Sequence, residues 1–395
     1  MEFSALVKRI AGDGADAWLT HYEARIASER GEDVILLSVG DPDLDSPAPV
    51  IERAIESMRS GDTHYTAAPG RQALREAIAA LHSARTGQKV DADNVVFMSG
   101  AQNALFSASM CLAGPGDEVI ALEPVYPTYP ATIEVSGARM VRVPMPASRH
   151  FRLDVEALDN AVTARTRAIF FATPNNPSGV ILSDADLEAI ALLARRHALW
   201  IVADEVYAGI APGGRVPSLA ARLPDRVVTI SSLSKSHAMT GWRCGWIVGP
   251  RELAVHVESL IMCMLFGLPG FIQEAALTAL GIQSQAEAAM RDYCATRRDL
   301  LLEGLRGIPA IECFVPDAGM FMLVDVRRTG LSGYEFMRGL YRSERVSVLD
   351  GGAFGEGTRG FVRVFFGADP KALGEACVRI RRYVSSLPGV LGLVQ

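Results

Sequence analysis

The chain has 395 residues, 49% hydrophobic and 21% charged, with a formal net charge of −6. That length implies two or three domains around a large buried core, and the composition excludes disordered, collagen-like and coiled-coil chains. A negative balance without long Lys/Arg runs leaves no basic stripe for a phosphate backbone, so nucleic acid is not expected as a partner.

The first 45 residues contain a polar, glycine-broken stretch, Gly12-Asp13-Gly14, and then Gly40-Asp41-Pro42-Asp43, which reads as a turn rather than a strand entering a main sheet. Lys8 and Arg9 are followed by no apolar run, so this end does not read as a signal peptide. From about residue 90 to 250, β-branched runs alternate with helical patterns. Val95–Met98, Glu118–Leu122, Ala168–Ala172, Trp200–Ala203, Val227–Ile230 and Gly245–Val248 read as strands, nearly all apolar throughout. Strands buried on both faces imply a largely parallel sheet between helices, hence an α/β fold. Ser183 with Asp186 three residues on looks like a capping box, opening a helix whose apolar face is Leu187, Ile190, Leu193 and Ala194.

After about residue 285 the pattern changes. A long charged helix (Ala286 to Leu305) leads into strands at Met320–Val326, Val346–Leu349 and Phe361–Phe366, with helices near Tyr334–Arg342 and from Pro370. These read as a smaller α+β domain. The expected division is a large domain, 46–285, and a small one assembled from 1–45 and 286–395. Six scattered cysteines, with no C-x-x-C pair and no nearby His at ligand spacing, point to reduced thiols of a cytoplasmic protein and to no metal. No segment approaches the roughly 18 apolar residues of a membrane span.

The residues that carry chemistry stand at strand ends. Lys235 leaves a buried strand among hydroxyls, with Ser232 and Ser234 before it and Arg243 eight residues after it. Two serines and an arginine suit a phosphate, and a desolvated lysine suits Schiff-base chemistry; a plain surface lysine is the alternative. Asp204 and Tyr207 lie just beyond another strand, where open α/β sheets bind ligands, though an aspartate there is also a common helix cap. The turn Thr173 to Gly179 holds Asn176 beside X-Pro bonds that are candidates for the cis form; an ordinary turn is the other reading. Gly100-Ala101-Gln102 opens a helix whose free N–H groups suit an anion. Tyr126 follows a strand end, where it would stack on a flat ring or simply cover core. Arg363 sits inside an apolar strand, so it must meet an anion, either a protein carboxylate or a substrate's.

In order, Asn176, Asp204, Tyr207, Lys235, Arg243 and Arg363 resemble the signature of the fold-type I pyridoxal-phosphate enzymes, the class I/II aminotransferases, along essentially the whole chain. The resemblance implies a pyridoxal 5′-phosphate-dependent transferase that moves the amino group of an amino acid to a 2-oxo acid. Lys235 would bind the cofactor covalently and shuttle the proton, and Asp204 would keep the pyridine nitrogen protonated. Asn176 and Tyr207 would hydrogen-bond the ring oxygen, Tyr126 would stack on the ring, and Gly100, Ala101, Gln102, Ser232 and Arg243 would hold the phosphate. Gly40 and Arg363 match the clamp for the α-carboxylate. Tyr65 matches a tyrosine that reaches the neighbouring subunit's phosphate, implying a homodimer.

Within the family, Gln102 stands where enzymes acting on aspartate carry lysine, and Met264-Leu265-Phe266 offers no arginine for a second carboxylate. The stretch Arg9 to Trp18 is similar to that of arginine:pyruvate transaminases. It makes arginine the expected donor and pyruvate an expected acceptor, with Asp13 or Asp16 meeting the guanidinium and Trp18 stacking on it. Other readings are a β-lyase, decarboxylase or oxidase on the same fold, an aminotransferase for aspartate or aromatic amino acids, or a non-catalytic effector-binding domain. The last fits poorly with the presence of both Lys235 and Asp204.

Overall fold

A computed structural model describes residues 2–10 and 15–391. Its strands in chain order are β1 (Ile35–Leu36), β2 (Val95–Ser99), β3 (Glu118–Glu123), β4 (Arg139–Pro144), β5 (Thr166–Ala172), β6 (Trp200–Asp204), β7 (Val227–Ser232) and β8 (Cys244–Val248), followed by β9 (Glu312–Phe314), β10 (Phe321–Asp325), β11 (Val346–Ser347), β12 (Leu349–Asp350) and β13 (Phe361–Phe365).

Strands β2 to β8 form one seven-stranded sheet in the order β2-β8-β7-β6-β5-β3-β4. All its pairings are parallel except those of β8, which runs antiparallel to both β2 and β7. The six expected strands are present with slightly wider bounds, and β4 is an addition. As the edge strand, β4 is solvated along most of its length, so the run Arg-Met-Val-Arg-Val-Pro lacks the apolar continuity that marks the central strands. Both faces of the sheet are packed. Val96, Met98, Ala121, Phe170, Val202 and Ile230 meet helix Gly100–Leu112 on one side, while Ile120, Ile169, Phe171 and Ile201 meet Leu187, Ile190 and Ala194 of helix Asp184–His197 on the other. The latter helix carries the expected capping box: Ser183 Oγ accepts from Asp186 N, and Asp186 accepts from Ser183 N.

The second sheet, β12-β13-β10-β9, is antiparallel, and its core draws on helices Gln283–Leu305, Gly333–Glu344 and Pro370–Ser386. The expected strand Val346–Leu349 is not one strand but two short ones. Ser347 ends a two-residue parallel pairing of β11 with β1, and Leu349 starts a pairing with Arg363 in a different sheet, so Val348 is where the chain changes partners. The segment after Gly14 is also more regular than its polarity suggests. Ala15–Glu29 is a helix held from outside by tertiary contacts, with Arg338 hydrogen-bonding Thr20 at 3.2 Å and Glu23 at 2.6 Å. Gly40 to Asp43 is irregular, as expected. No helix among the described residues is long and apolar enough to cross a membrane, and none of their His, Cys, Asp and Glu side chains cluster as a metal site.

Candidate active site

The parallel strands deliver their carboxyl ends to one rim of the large sheet. There the loops after β2, β3, β5, β6 and β7 enclose a cavity of about 290 Å3 with Gly40, Phe321 and Arg363 closing it from the other side. The reversed β8 has a consequence for this rim. Its first residue, Cys244, pairs with Ser99, the last residue of β2, so Arg243 is placed against the start of helix Gly100–Leu112. The fit admits no side chain: a Cβ on Gly100, which has φ +78°, would run into the Arg243 guanidinium, and one on Gly245 would come within 2.5 Å of the Gly100 carbonyl carbon. Ser99 does not cap the helix with its side chain, and Ala101 and Gln102 of the first turn line the cavity. Ser232 and Ser234 line the same corner. Among the described residues Arg243 makes one side-chain hydrogen bond, Nη1 to the Thr240 carbonyl at 2.8 Å, so most of its donors remain for an anion. The result is a cradle for a phosphate-sized dianion. The Gln102 side chain is otherwise engaged, accepting from Thr128 Oγ1 at 2.6 Å and donating to Thr132 Oγ1 at 2.7 Å.

Asp204, the last residue of β6, is half-buried, and loss of water pushes its pKa up to about 6 against the pull of two hydrogen bonds. These come from the Tyr129 hydroxyl to Oδ2, at 2.9 Å, and from Val206 N to Oδ1, at 3.2 Å. The helix-cap reading thus accounts for one oxygen only. A neutral phenol holds the other, and no cation among the described residues pairs with the carboxylate. Tyr129 was legible only as part of the tyrosine-rich run after β3; nothing in its spacing indicates that it, rather than Tyr126, reaches Asp204. Tyr126 and Tyr207 both line the cavity, and Asn176 lies between the cis peptide Thr173-Pro174 and its own cis bond to Pro177.

Lys235 is likewise half-buried and lines the cavity, which excludes a plain surface lysine. Loss of water brings its pKa down to about 8, with Arg363 and Arg243 acting in the same direction and Asp41 opposing them. Its Nζ donates to the Gly40 carbonyl at 2.6 Å. At neutral pH such an amine has a far larger neutral fraction than an exposed lysine.

For Arg363 the described residues supply no protein carboxylate. It is 1% exposed, donating from Nη1 to Asn176 Oδ1 at 3.0 Å and from Nη2 to the Ser38 carbonyl at 2.6 Å, while Nε has no partner. The guanidinium carbon lies 3.9 Å from the Phe321 ring centroid and 4.8 Å from that of Phe354. None of its hydrogen-bond partners among the described residues is a carboxylate, and burial lowers its pKa to about 10, with Tyr126 and Tyr207 opposing the shift. A cation held between two aromatic faces at the edge of a cavity is built to receive an anion from outside.

Three expected residues are not at this cavity or not described. Tyr65 is 85% exposed and stacks edge-on with Phe266, at 4.9 Å, beside a separate surface pocket. Leu265 and Phe266 are likewise exposed and do not line the cavity, so they form no part of the site as assembled in this chain. Asp13 lies outside the described residues, as does the side chain of Asp16. Trp18 does line the cavity, packing toward Leu349 and Phe354.

The chain matches the family model "Aminotransferase class I and II" over residues 32–380. It is 47% identical over 393 residues to the arginine–pyruvate transaminase of Pseudomonas aeruginosa, a match spanning 98% of this chain and 100% of that one. It is 32% identical to an aspartate aminotransferase of Thermotoga maritima over 368 residues, 92% of this chain and 95% of that one. Among solved structures, the aspartate aminotransferase of Thermus thermophilus with maleate superposes with a TM-score of 0.91 at 30% identity, covering 97% of this chain and 100% of the other. The aromatic aminotransferase of Pyrococcus horikoshii gives 0.85 at 32% identity, covering 91% and 98%. With an α/β fold of this type, a half-buried lysine and carboxylate facing one cavity, and likeness along the whole chain, this protein belongs to the class I and II aminotransferases.

Proposed function

We propose that the cavity takes pyridoxal 5′-phosphate and that the enzyme transfers the amino group of arginine to pyruvate. The observation that carries the cofactor assignment is the charge pattern: a dianion cradle at Gly100, Ser232 and Arg243, and, at the other end, a half-buried carboxylate on Asp204 with no cation beside it among the described residues. A phosphorylated ring with a protonatable nitrogen supplies both missing charges. When bound, such a ring withdraws the electron pair released at the substrate's Cα.

The chain's own residues divide the remaining tasks. Asp204 holds a proton on the ring nitrogen by being its ionised partner, and Tyr129 keeps that carboxylate oriented. Asn176 and Tyr207 donate toward the ring oxygen, and Tyr126 covers the ring face. Lys235 takes the proton from Cα and returns it, a role for which a pKa near 8 is suited at neutral pH. Arg363 binds the α-carboxylate, Asn176 braces the guanidinium from one side, and Gly40 leaves room because a Cβ there would strike Phe321. The full burial of Arg363 and the partial burial of Lys235 and Asp204 limit water at these interactions, which strengthens each.

The donor assignment rests on the similarity to the arginine–pyruvate transaminase over essentially the full chain. Trp18 at the cavity wall agrees with it, offering a face for a guanidinium. The lysine and two arginines that line the cavity are already engaged by the cofactor and the α-carboxylate in this reading, so aspartate and glutamate should be poor donors. We further assign residues 46–285 to a large cofactor-binding domain and 1–45 with 286–395 to a small one, and a homodimer in which exposed Tyr65 reaches the partner's phosphate. The test is a spectral titration of the holoenzyme with single amino acids. Arginine should convert the aldehyde form of the cofactor to the pyridoxamine form without an acceptor, and pyruvate should reverse it. Release of ammonia with pyruvate would select a lyase instead, and a preference for aspartate would overturn the donor assignment.

A further inference from the structure

Helix Ala15–Glu29 carries Trp18 to the cavity, and one turn later on the same face it carries His21. The His21 ring meets Trp18 edge-on, with centroids 5.8 Å apart and planes at 85°. His21 is 8% exposed, and its Nδ1 lies 2.9 Å from Ser38 Oγ. Ser38 Oγ also meets Ser347 Oγ at 2.9 Å, so it joins the imidazole to strand β11, which carries Ser347. Burial, together with the charges of Arg25 and Arg363, holds the imidazole below its ordinary pKa of 6.5, in the same direction.

Ser38 is fully buried, and its carbonyl is the oxygen that holds Arg363 Nη2. One residue therefore connects two walls: its side chain takes the N-terminal helix and its backbone takes the carboxylate clamp. Phe354 completes the loop, packing toward Trp18 while one of its faces lies against the Arg363 guanidinium. The geometry points to His21 as a positioning residue for donor specificity: through its hydrogen bond with Ser38, it fixes the spacing between Trp18, which faces the donor's side chain, and Arg363, which faces its α-carboxylate. The mechanism above gives His21 no task, and its ring touches no reacting atom. A donor with a long side chain needs both walls at once, whereas alanine needs only the clamp.

The inference rests on the donor reading, and the test separates the two. In the holoenzyme, His21→Phe should raise KM for arginine roughly tenfold, the loss of one buried hydrogen bond, with kcat and the KM for alanine changed less than about twofold. His21→Asn, whose side chain can hydrogen-bond where Nδ1 did, should restore most of the arginine KM. His21→Leu removes the same bond with a smaller side chain, so it should reproduce the arginine-selective change if the phenylalanine variant does not fold. Deuterium uptake by amides of Ala15–Glu29 should increase in His21→Phe while that of Gly100–Leu112 stays unchanged. Equal KM shifts for both donors, unchanged exchange in the N-terminal helix, or no recovery with asparagine would overturn the role of His21. If the unaltered enzyme does not use arginine, the donor reading fails, and the exchange measurement still decides whether His21 holds the helix.

Discussion

Replacing Arg363 with methionine separates a structural arginine from a binding one. A buried ion pair that loses one partner typically costs 3–5 kcal/mol, because the other charge is left unpaired. Arg363 has no such partner among the described residues, and its burial lowers the guanidinium pKa from 12.5 to about 10. At about 1.4 kcal/mol per unit, that corresponds to about 3 kcal/mol by which the fold disfavours the charge. Methionine removes this penalty but leaves Asn176 Oδ1 and the Ser38 carbonyl without a donor, at about 1–3 kcal/mol each. The terms offset, so the cofactor-free variant should unfold within about 2 kcal/mol of the original in urea. Catalysis should not be spared. Two charged hydrogen bonds to the α-carboxylate, at about 1.5–3 kcal/mol each, predict a fall in kcat/KM of between about a hundred- and ten-thousandfold. Because every donor carries that carboxylate, arginine and alanine should lose similar factors. A stability loss above about 4 kcal/mol, or a donor-dependent loss of efficiency, would refute the argument.

Lys235→Ala should abolish turnover while the folded protein still retains pyridoxal phosphate in equilibrium dialysis, since the Gly100, Ser232 and Arg243 contacts remain. Asp204→Asn should stabilise the cofactor-free chain at pH 7–8. Its carboxyl pKa rises from 3.8 to about 6 on folding, so the ionised form weakens the fold by up to about 3 kcal/mol, a penalty absent below about pH 4 and complete above about pH 6. Urea titrations at pH 4 and pH 7.5 should therefore show the gain at the higher pH only, while turnover falls at both. Tyr65→Ala should weaken cofactor retention, and mixing it with Lys235→Ala should regenerate one complete site per mixed dimer; the absence of any recovered retention would argue against a site shared between subunits.

The central strands were readable because strands buried on both faces show apolar continuity, which Ile120, Phe170 and Val202 preserve residue after residue. The edge strand β4 was not, because solvent takes one side of it and its arginines pair with Glu118 and Glu123 on the neighbouring strand. Helix Ala15–Glu29 escaped for a related reason. Its local pattern is weak, and its stability comes from Arg338, Ser38 and the second sheet, far away in the chain.

The candidate site follows the same division. Order along the chain, and the chemistry of lysine, aspartate and arginine next to apolar strands, were enough to single out Lys235, Asp204, Arg243 and Arg363, since a charge beside a buried strand must have a purpose or a partner. Whether it has a partner is a question of distance. Only the folded chain decides that Arg363 meets no carboxylate among the described residues, that Tyr129 holds Asp204, that the reversal of β8 brings Arg243 against Gly100, and that Tyr65 is exposed and does not line its own cavity. Strand periodicity is a local property of the sequence. The pairing of side chains from residues 38, 176 and 363 depends on how three separate segments pack, and no local pattern encodes it.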